Sequence, residues 1–313
     1  MIEATHLTKQ YGNANALFDV NFSIDKGEVV GFLGPNGAGK STTMNLLCGY
    51  LTPSWGQVKI AGIDMVENPL EAKRHIGYLP EIPPLYMDMT VAEQLEFACE
   101  LRGLKLKKPQ LRDYIDSLCA RTQILDTRDR LIRNLSKGYR QRVSVTQLLV
   151  GEPEILILDE PTVGLDPRQI REFRDLLSEL SHEHTIILSS HILSEISSVC
   201  KRILVFYEGM LIADGEPQSL QEQLAGHRVL EVEISGEEAG VSALLQGIPD
   251  VLAVKPVGNG VYQVAHRMGT DIRGALYRTL RPTGYELLMM KPEEVSLESL
   301  YLRITEHEQE MES

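Results

Sequence analysis

One octapeptide constrains this chain more than anything else in it. Residues Gly34-Pro35-Asn36-Gly37-Ala38-Gly39-Lys40-Ser41 fit the pattern G-x-x-x-x-G-K-[ST]. They lie between a short apolar run, GEVVGFLG, and a segment with helical spacing, KSTTMNLLCGYL. A strand that enters a glycine-rich turn and leaves it as a helix is a phosphate-binding loop. The glycines let the backbone wrap closely around phosphate oxygens with its N–H groups pointing inward. The helix opening at Lys40 adds the positive end of its dipole. Lys40 is placed to reach the β- and γ-phosphates, and the Ser41 hydroxyl to coordinate Mg2+. The same unit dictates a fold. EILILDEP and HTIILSSH read as further buried strands, and strand–helix alternation of this kind implies a mostly parallel sheet with helices on both faces.

A second chemical element follows from EILILDEP. Asp159 ends a buried strand, where it can hold a metal through water. Glu160 is adjacent and is placed to polarise an attacking water as general base. Alone, an Asp-Glu pair at a strand end is most simply solvated; beside a phosphate loop it is a second half of the same site. LSKGYRQR, Leu135 to Arg142, is less legible. Ser136 reads as the cap of a helix, and a helix start with a serine and a glycine also suits an anion.

Between these motifs the character shifts. TVAEQLEFACELRGL and PQLRDYIDSLCARTQIL read as amphipathic helices, with Thr90 and Glu93 as a capping box and Pro109 in a first helical turn. Residues 66–150 are therefore expected to form a helical insertion. Beyond 220 the pattern changes again, after a linker over 221–227. RVLEVEI, VLAVKPV, VYQVAH and YELLMMK read as strands; EEAGVSALLQGI and DIRGALYRTL read as helices. The Gly-Asn-Gly between two of the strands is a hairpin turn. The order β-α-β-β-α-β over 228–304 suggests an α+β, ferredoxin-like sandwich, with SLESLYLRI as a last short helix and an acidic tail over 305–313.

Taken in order, the motifs resemble the nucleotide-binding subunit of an ABC transporter, a P-loop NTPase, over residues 1 to about 220. GPNGAGKST, which ends on Thr42, resembles the family's Walker A and ILILDEP its Walker B. Tyr11 in KQYG resembles the aromatic residue that stacks on adenine. GLDP resembles the D-loop, carrying Asp166, and His191 the switch histidine that contacts the γ-phosphate. LSKGYRQR resembles the LSGGQ signature, so Ser136 and Gly138 would complete the site of a second copy. Two positions depart from the family pattern. Lys137 and Tyr139 replace the second Gly and the Gln of LSGGQ, and Glu81 in GYLPEIPPLY stands where a glutamine is usual. A carboxylate at Glu81 would face Mg2+. The stretch YLPEIPPLYMDMTVAEQLEF and the appended domain narrow the resemblance to ATP-binding subunits of ABC-2 type exporters, including drug-export and gliding-motility-related groups.

The resemblance implies ATP and Mg2+ as ligands, a homodimer, an integral membrane permease as partner, and a cytoplasmic place on the inner face of the membrane. Two other functions remain open: a non-transport ABC ATPase acting on nucleic acid or ribosomes, and a regulatory module that holds ATP without turnover. Net charge decides between some of these. With 31 Lys+Arg against 44 Asp+Glu the chain carries −13, the wrong sign for a nucleic-acid footprint. No apolar run approaches the roughly 18 residues a membrane span needs, and the opening MIEATHLTKQYG has no signal-peptide pattern. Cys48, Cys99, Cys119 and Cys200 form no CxxC pair and read as incidental core thiols of a reducing compartment. His182 and His184 read as part of a solvated loop, and Met289-Met290 as core filling.

Overall fold

The computed structural model describes residues 2–220, 227–267 and 269–293. The chain divides into two compact units, Met1–Glu216 and Pro217–Ser313.

The first unit is built on two sheets. The larger has six strands in the order β10 (Met210–Gly215), β9 (Arg202–Tyr207), β3 (Val29–Leu33), β8 (Thr185–Ser190), β7 (Ile155–Leu158), β6 (Ile76–Leu79). All of its pairings are parallel except that of β9 with β10. Strands β7 and β8 are buried along their whole length, as strands covered on both faces must be. The smaller sheet is antiparallel, in the order β2 (Ala14–Ile24), β1 (Ile2–Tyr11), β4 (Trp55–Ile60), β5 (Ile63–Asp64). Helix α1 (Lys40–Leu47) contributes Met44, Leu46 and Leu47 to a core shared by both sheets, which includes Ile2, Leu17 and Phe22 from one and Ile157 and Phe206 from the other. Phe32 stands at its centre. Its ring meets Phe22 edge-on at 5.6 Å and Phe206 at 4.9 Å.

Helices α3 (Val91–Leu101), α4 (Lys108–Arg121) and α5 (Lys137–Leu148) form the inserted helical part. Thr90 starts α3 with the expected reciprocal bonds: its hydroxyl accepts from the Glu93 N–H at 3.2 Å, and the Glu93 carboxylate accepts from the Thr90 N–H at 2.7 Å. The insertion does not begin at 66. Residues 76–79 supply an edge strand of the six-stranded sheet, paired with β7 from Ile76↔Ile155 to Leu79↔Leu158. Four residues are too few to show a period in the sequence, and the pairing partner lies 79 positions away.

The second unit has strands His227–Ser235, Val251–Gly258, Val261–Arg267 and Glu286–Glu293, with helices Glu238–Gln246 and Arg273–Leu280. Numbered in chain order, its strands lie 2-3-1-4 and every neighbour is antiparallel, which is the ferredoxin-like arrangement. Alternate residues Leu230, Val232 and Ile234 meet Val241, Leu245 and Leu276 of the helices. Asn259 and Gly260 make the hairpin turn at φ 53° and 78°, as a two-residue turn of matching twist requires. SLESLYLRI, the acidic tail and residues 221–226 of the linker lie outside the described residues.

Candidate active site

The loop between β3 and α1 takes its shape from glycine. Gly39 sits at φ 103°, and a Cβ there would lie 2.6 Å from Leu17 Cδ2, on strand β2. Gly37, at φ 86°, has nothing within 4 Å of the same position, so the loop is open where a phosphate would enter. Lys40 is folded back into this loop. It is 5% exposed, and its Nζ donates to the carbonyls of Gly34 at 2.6 Å and Pro35 at 3.0 Å. Burial lowers its pKa, opposed by the carboxylates of Glu160 and Asp159. Glu160 Oε1 lies 3.6 Å from Nζ. An ammonium held this way can exchange carbonyl contacts for charge-assisted bonds to an anion.

The carboxylates stand on the adjacent strand end. Ser41 Oγ donates to Asp159 Oδ1 at 3.2 Å, and Ser189 Oγ donates to the same oxygen at 2.6 Å. Ser189 Oγ in turn accepts from the Glu160 N–H at 2.8 Å. Glu160 has φ 46°, a left-handed backbone that costs a non-glycine residue about 1–3 kcal/mol. Its carboxylate accepts from His191 Nδ1 at 3.0 Å; because a carboxylate only accepts, Nδ1 carries the proton. The donor set suits ligands of two kinds. The Ser41 hydroxyl and the Asp159 carboxylate are hard oxygens, the type Mg2+ prefers. The open loop with its lysine suits a polyphosphate.

Ser189 belongs to no motif of the sequence. Its role depends on register: β7 and β8 pair in parallel with Leu158 opposite Leu188, which sets Ser189 beside Asp159. Glu195 is a second such residue. Its Oε2 accepts from Thr162 Oγ1 at 2.5 Å and from Ser190 Oγ at 3.1 Å, tying the segment after Glu160 to the one before His191. Nothing in the sequence around Glu195 signals that pairing.

The signature segment forms a separate face. Ser136 caps α5, its hydroxyl accepting from the Tyr139 N–H at 3.3 Å. Gly138 packs against Gln169, 3.0 Å from where its Cβ would stand, and the Nζ of exposed Lys137 covers Gly164. Gln141 Nε2 donates to the Pro161 carbonyl at 2.8 Å, joining α5 to the segment after Glu160. Asp166 caps α6 (Pro167–Leu180), accepting from the N–H groups of Arg168 and Gln169 at 3.0 and 2.9 Å. Ser136, Gly138, Tyr139, Asp166 and Gln169 line one open recess, and no residue of the phosphate loop lines it.

Two expected residues stand apart from the hydrogen-bonded cluster. Tyr11 ends β1 half-exposed, with Lys9 Nζ 5.2 Å above its ring. Glu81 is exposed and makes no hydrogen bond or ion pair among the described residues. It follows Leu79 by two positions, and the Leu79 carbonyl accepts from the Asp159 N–H at 2.9 Å. His184 corrects the expectation of a solvated loop. It is buried, its Nδ1 bonded to the Pro153 carbonyl at 2.8 Å and its Nε2 3.4 Å from the Arg121 guanidinium. It packs the start of β8 against α4, a contact invisible to local polarity.

A family model described as "ABC transporter" matches residues 17–163. The chain is 32% identical over 306 residues to the bacitracin transport ATP-binding protein BcrA of Bacillus licheniformis, covering 97% of each chain. It is 30% identical over 308 residues to the Nod factor export ATP-binding protein I of Rhizobium meliloti, covering 98% of this chain and 88% of that one. Among solved structures, the dimeric structure of MJ0796, a bacterial ABC transporter cassette, superimposes with a TM-score of 0.63 at 25% identity, over 69% of this chain and 99% of the cassette.

Proposed function

The chain belongs to the ABC transporter family as an ATP-binding and ATP-hydrolysing subunit, and we propose that it powers a membrane exporter by closing, with a second copy, around two Mg·ATP. The observation that carries this reading is one continuous chain of hydrogen bonds, Ser41–Asp159–Ser189–Glu160–His191. The linkage of these groups supports the roles proposed for them.

Lys40 leaves the Gly34 and Pro35 carbonyls to meet the terminal phosphates, and the backbone N–H groups of residues 36–40 close around them. Ser41 and Asp159 would hold Mg2+, which would neutralise charge on the phosphates. Glu160 takes the proton of the attacking water as general base. His191 fixes that carboxylate through Nδ1–H and is placed to sense the γ-phosphate with its other nitrogen. Tyr11 offers its ring to the adenine. The site of one copy then lacks only what the Ser136–Gly138 face supplies: a hydroxyl and the N–H groups of a helix start. That the face stands apart from the phosphate loop within one chain supports completion in trans, and the dimeric cassette supports pairing of two copies. Nucleotide binding favours the closed pair and hydrolysis releases it, a two-state element biased by ligand.

The permease is the partner on this reading, supported by the names of the relatives as transport and export ATP-binding subunits; no helix among the described residues is long and apolar enough to cross a membrane. The helical part offers it a groove of about 360 Å3 between the insertion and the core, lined by Tyr50, Pro83, Pro84, Leu101 and Gln147, with Ile82 exposed in the adjoining loop. The direction of transport follows the Nod factor relative, an export subunit by its name. Holding ATP without turnover is disfavoured by the Glu160–His191 pair, and action on nucleic acid by the charge of −13. Glu160→Gln tests the assignment of base. ATP binding should survive and steady-state hydrolysis should fall by about 10²–10⁴-fold, the usual weight of such a group; hydrolysis at the parental rate overturns it.

A further inference from the structure

Gln94, in α3, is 1% exposed, and both ends of its amide are engaged. Its Oε1 accepts from the Tyr86 N–H at 3.0 Å. Its Nε2 donates to Gln147 Oε1 at 2.8 Å and points to the Pro84 carbonyl at 3.4 Å. The partners fix the amide's orientation, because a backbone N–H only donates and a backbone carbonyl only accepts. A buried amide satisfied at both ends is costly to disturb, since breaking one bond leaves another group unpaired in a low dielectric.

The two elements joined this way are the ones the function must coordinate. Tyr86 and Pro84 belong to the loop that carries Glu81. Three prolines, Pro80, Pro83 and Pro84, stiffen that loop, and it begins at Leu79, bonded to the Asp159 N–H. Gln147 belongs to α5, whose first turn presents Ser136 and Gly138, and it also lines the groove beside Pro83 and Pro84. The far end of the loop is fastened independently, by the N–H groups of Ile132 and Arg133 on the carbonyls of Met89 and Met87. The middle of the loop reaches α5 through Gln94 and Gln147.

We propose that Gln94 and Gln147 are positioning residues that make the Glu81 loop and the signature helix move together, so that occupation of the partner's γ-phosphate site is felt in the groove. This rests on the trans reading above. Neither residue touches nucleotide; each acts through the element it holds.

The test is amide exchange, residue-resolved at Tyr86 and over 137–148, in the full chain carrying Glu160→Gln, with and without Mg·ATP. Gln147→Leu is the informative variant because it spares the Tyr86–Gln94 bond. In the parent, Mg·ATP should change exchange both at 137–148 and at Tyr86. In Gln147→Leu the response at 137–148 should persist, nucleotide-free exchange at Tyr86 should stay parental, and the ATP-dependent change at Tyr86 should be lost. Gln147→Glu, which still accepts from the Gln94 amide, should restore it. Gln147→Met, matched in shape, replaces the leucine variant if that one fails to fold. A parental ATP response at Tyr86 in Gln147→Leu overturns the proposal. So does an equal rise in Tyr86 exchange with and without nucleotide, which marks a bond that is only structural. No response at Tyr86 in the parent also overturns it. No response at 137–148 in the parent overturns the trans reading and this inference with it.

Discussion

Glu160 holds a backbone conformation that a glutamate adopts only at a cost, and its environment accounts for it. Its N–H is bound by a fully buried hydroxyl, Ser189 Oγ, which also donates to Asp159. One side chain thus holds both Asp159 and Glu160 in place. Ser189→Ala leaves the Glu160 N–H without its acceptor and Asp159 with one donor fewer, at an expected cost of about 1–3 kcal/mol in stability. Turnover should fall while nucleotide affinity holds, because the phosphate loop itself is untouched. Urea midpoints, kcat and a nucleotide titration on the same variant measure all three, and an unchanged kcat contradicts the account. Lys40, Ser41, Asp159 and Glu160 were legible because each lies in a contiguous motif whose local backbone dictates the chemistry. Ser189 was not, because a parallel register brings it to Asp159 from 30 residues away.

At the scale of elements, what was legible followed the same rule. The Thr90–Glu93 box needs only four consecutive residues and a helix. The antiparallel sheet at the N-terminus escaped the reading because β1 slips register three times against β2, between Ala4 and Leu7, Leu7 and Lys9, and Lys9 and Gln10. Each slip breaks the alternation on which a strand is recognised. The His184 contact joins elements and has a measurable consequence. Burial holds its pKa below the ordinary 6.5, with the Arg121 guanidinium acting in the same direction. The unfolded chain therefore takes up a proton at a pH where the folded one does not. Stability is full above about 6.5 and is lost as pH falls below it toward the folded value. Denaturation midpoints should decline between pH 7.5 and 5.5, and His184→Gln should flatten the decline. An identical pH profile for the variant removes His184 as the cause.

Among the described residues, one core lies around Phe32 in the first unit and another around Val232 and Leu245 in the second. The phosphate loop, Asp159, Glu160 and His191 all lie in the first unit. Binding to the native state alone stabilises it by about 2.7 kcal/mol at a hundredfold excess over Kd, so Mg·ATP should raise the unfolding transition of the larger unit and leave that of the smaller unit in place. A single transition that shifts as one on adding nucleotide contradicts independent units. The order of strands and helices in the smaller unit was readable because its hydrophobic alternation is regular. Its role was not, since no chemical motif falls within it.

The central claim is that one copy carries half of each site, and its most direct test is the mass of the Glu160→Gln chain in solution by sedimentation, with Mg·ATP, with Mg·ADP and without nucleotide. Doubling of the mass with ATP alone, abolished when Ser136→Ala and Gly138→Asp are added, is the result expected. A species that stays monomeric with ATP bound, or a dimer indifferent to nucleotide and to those two substitutions, contradicts it.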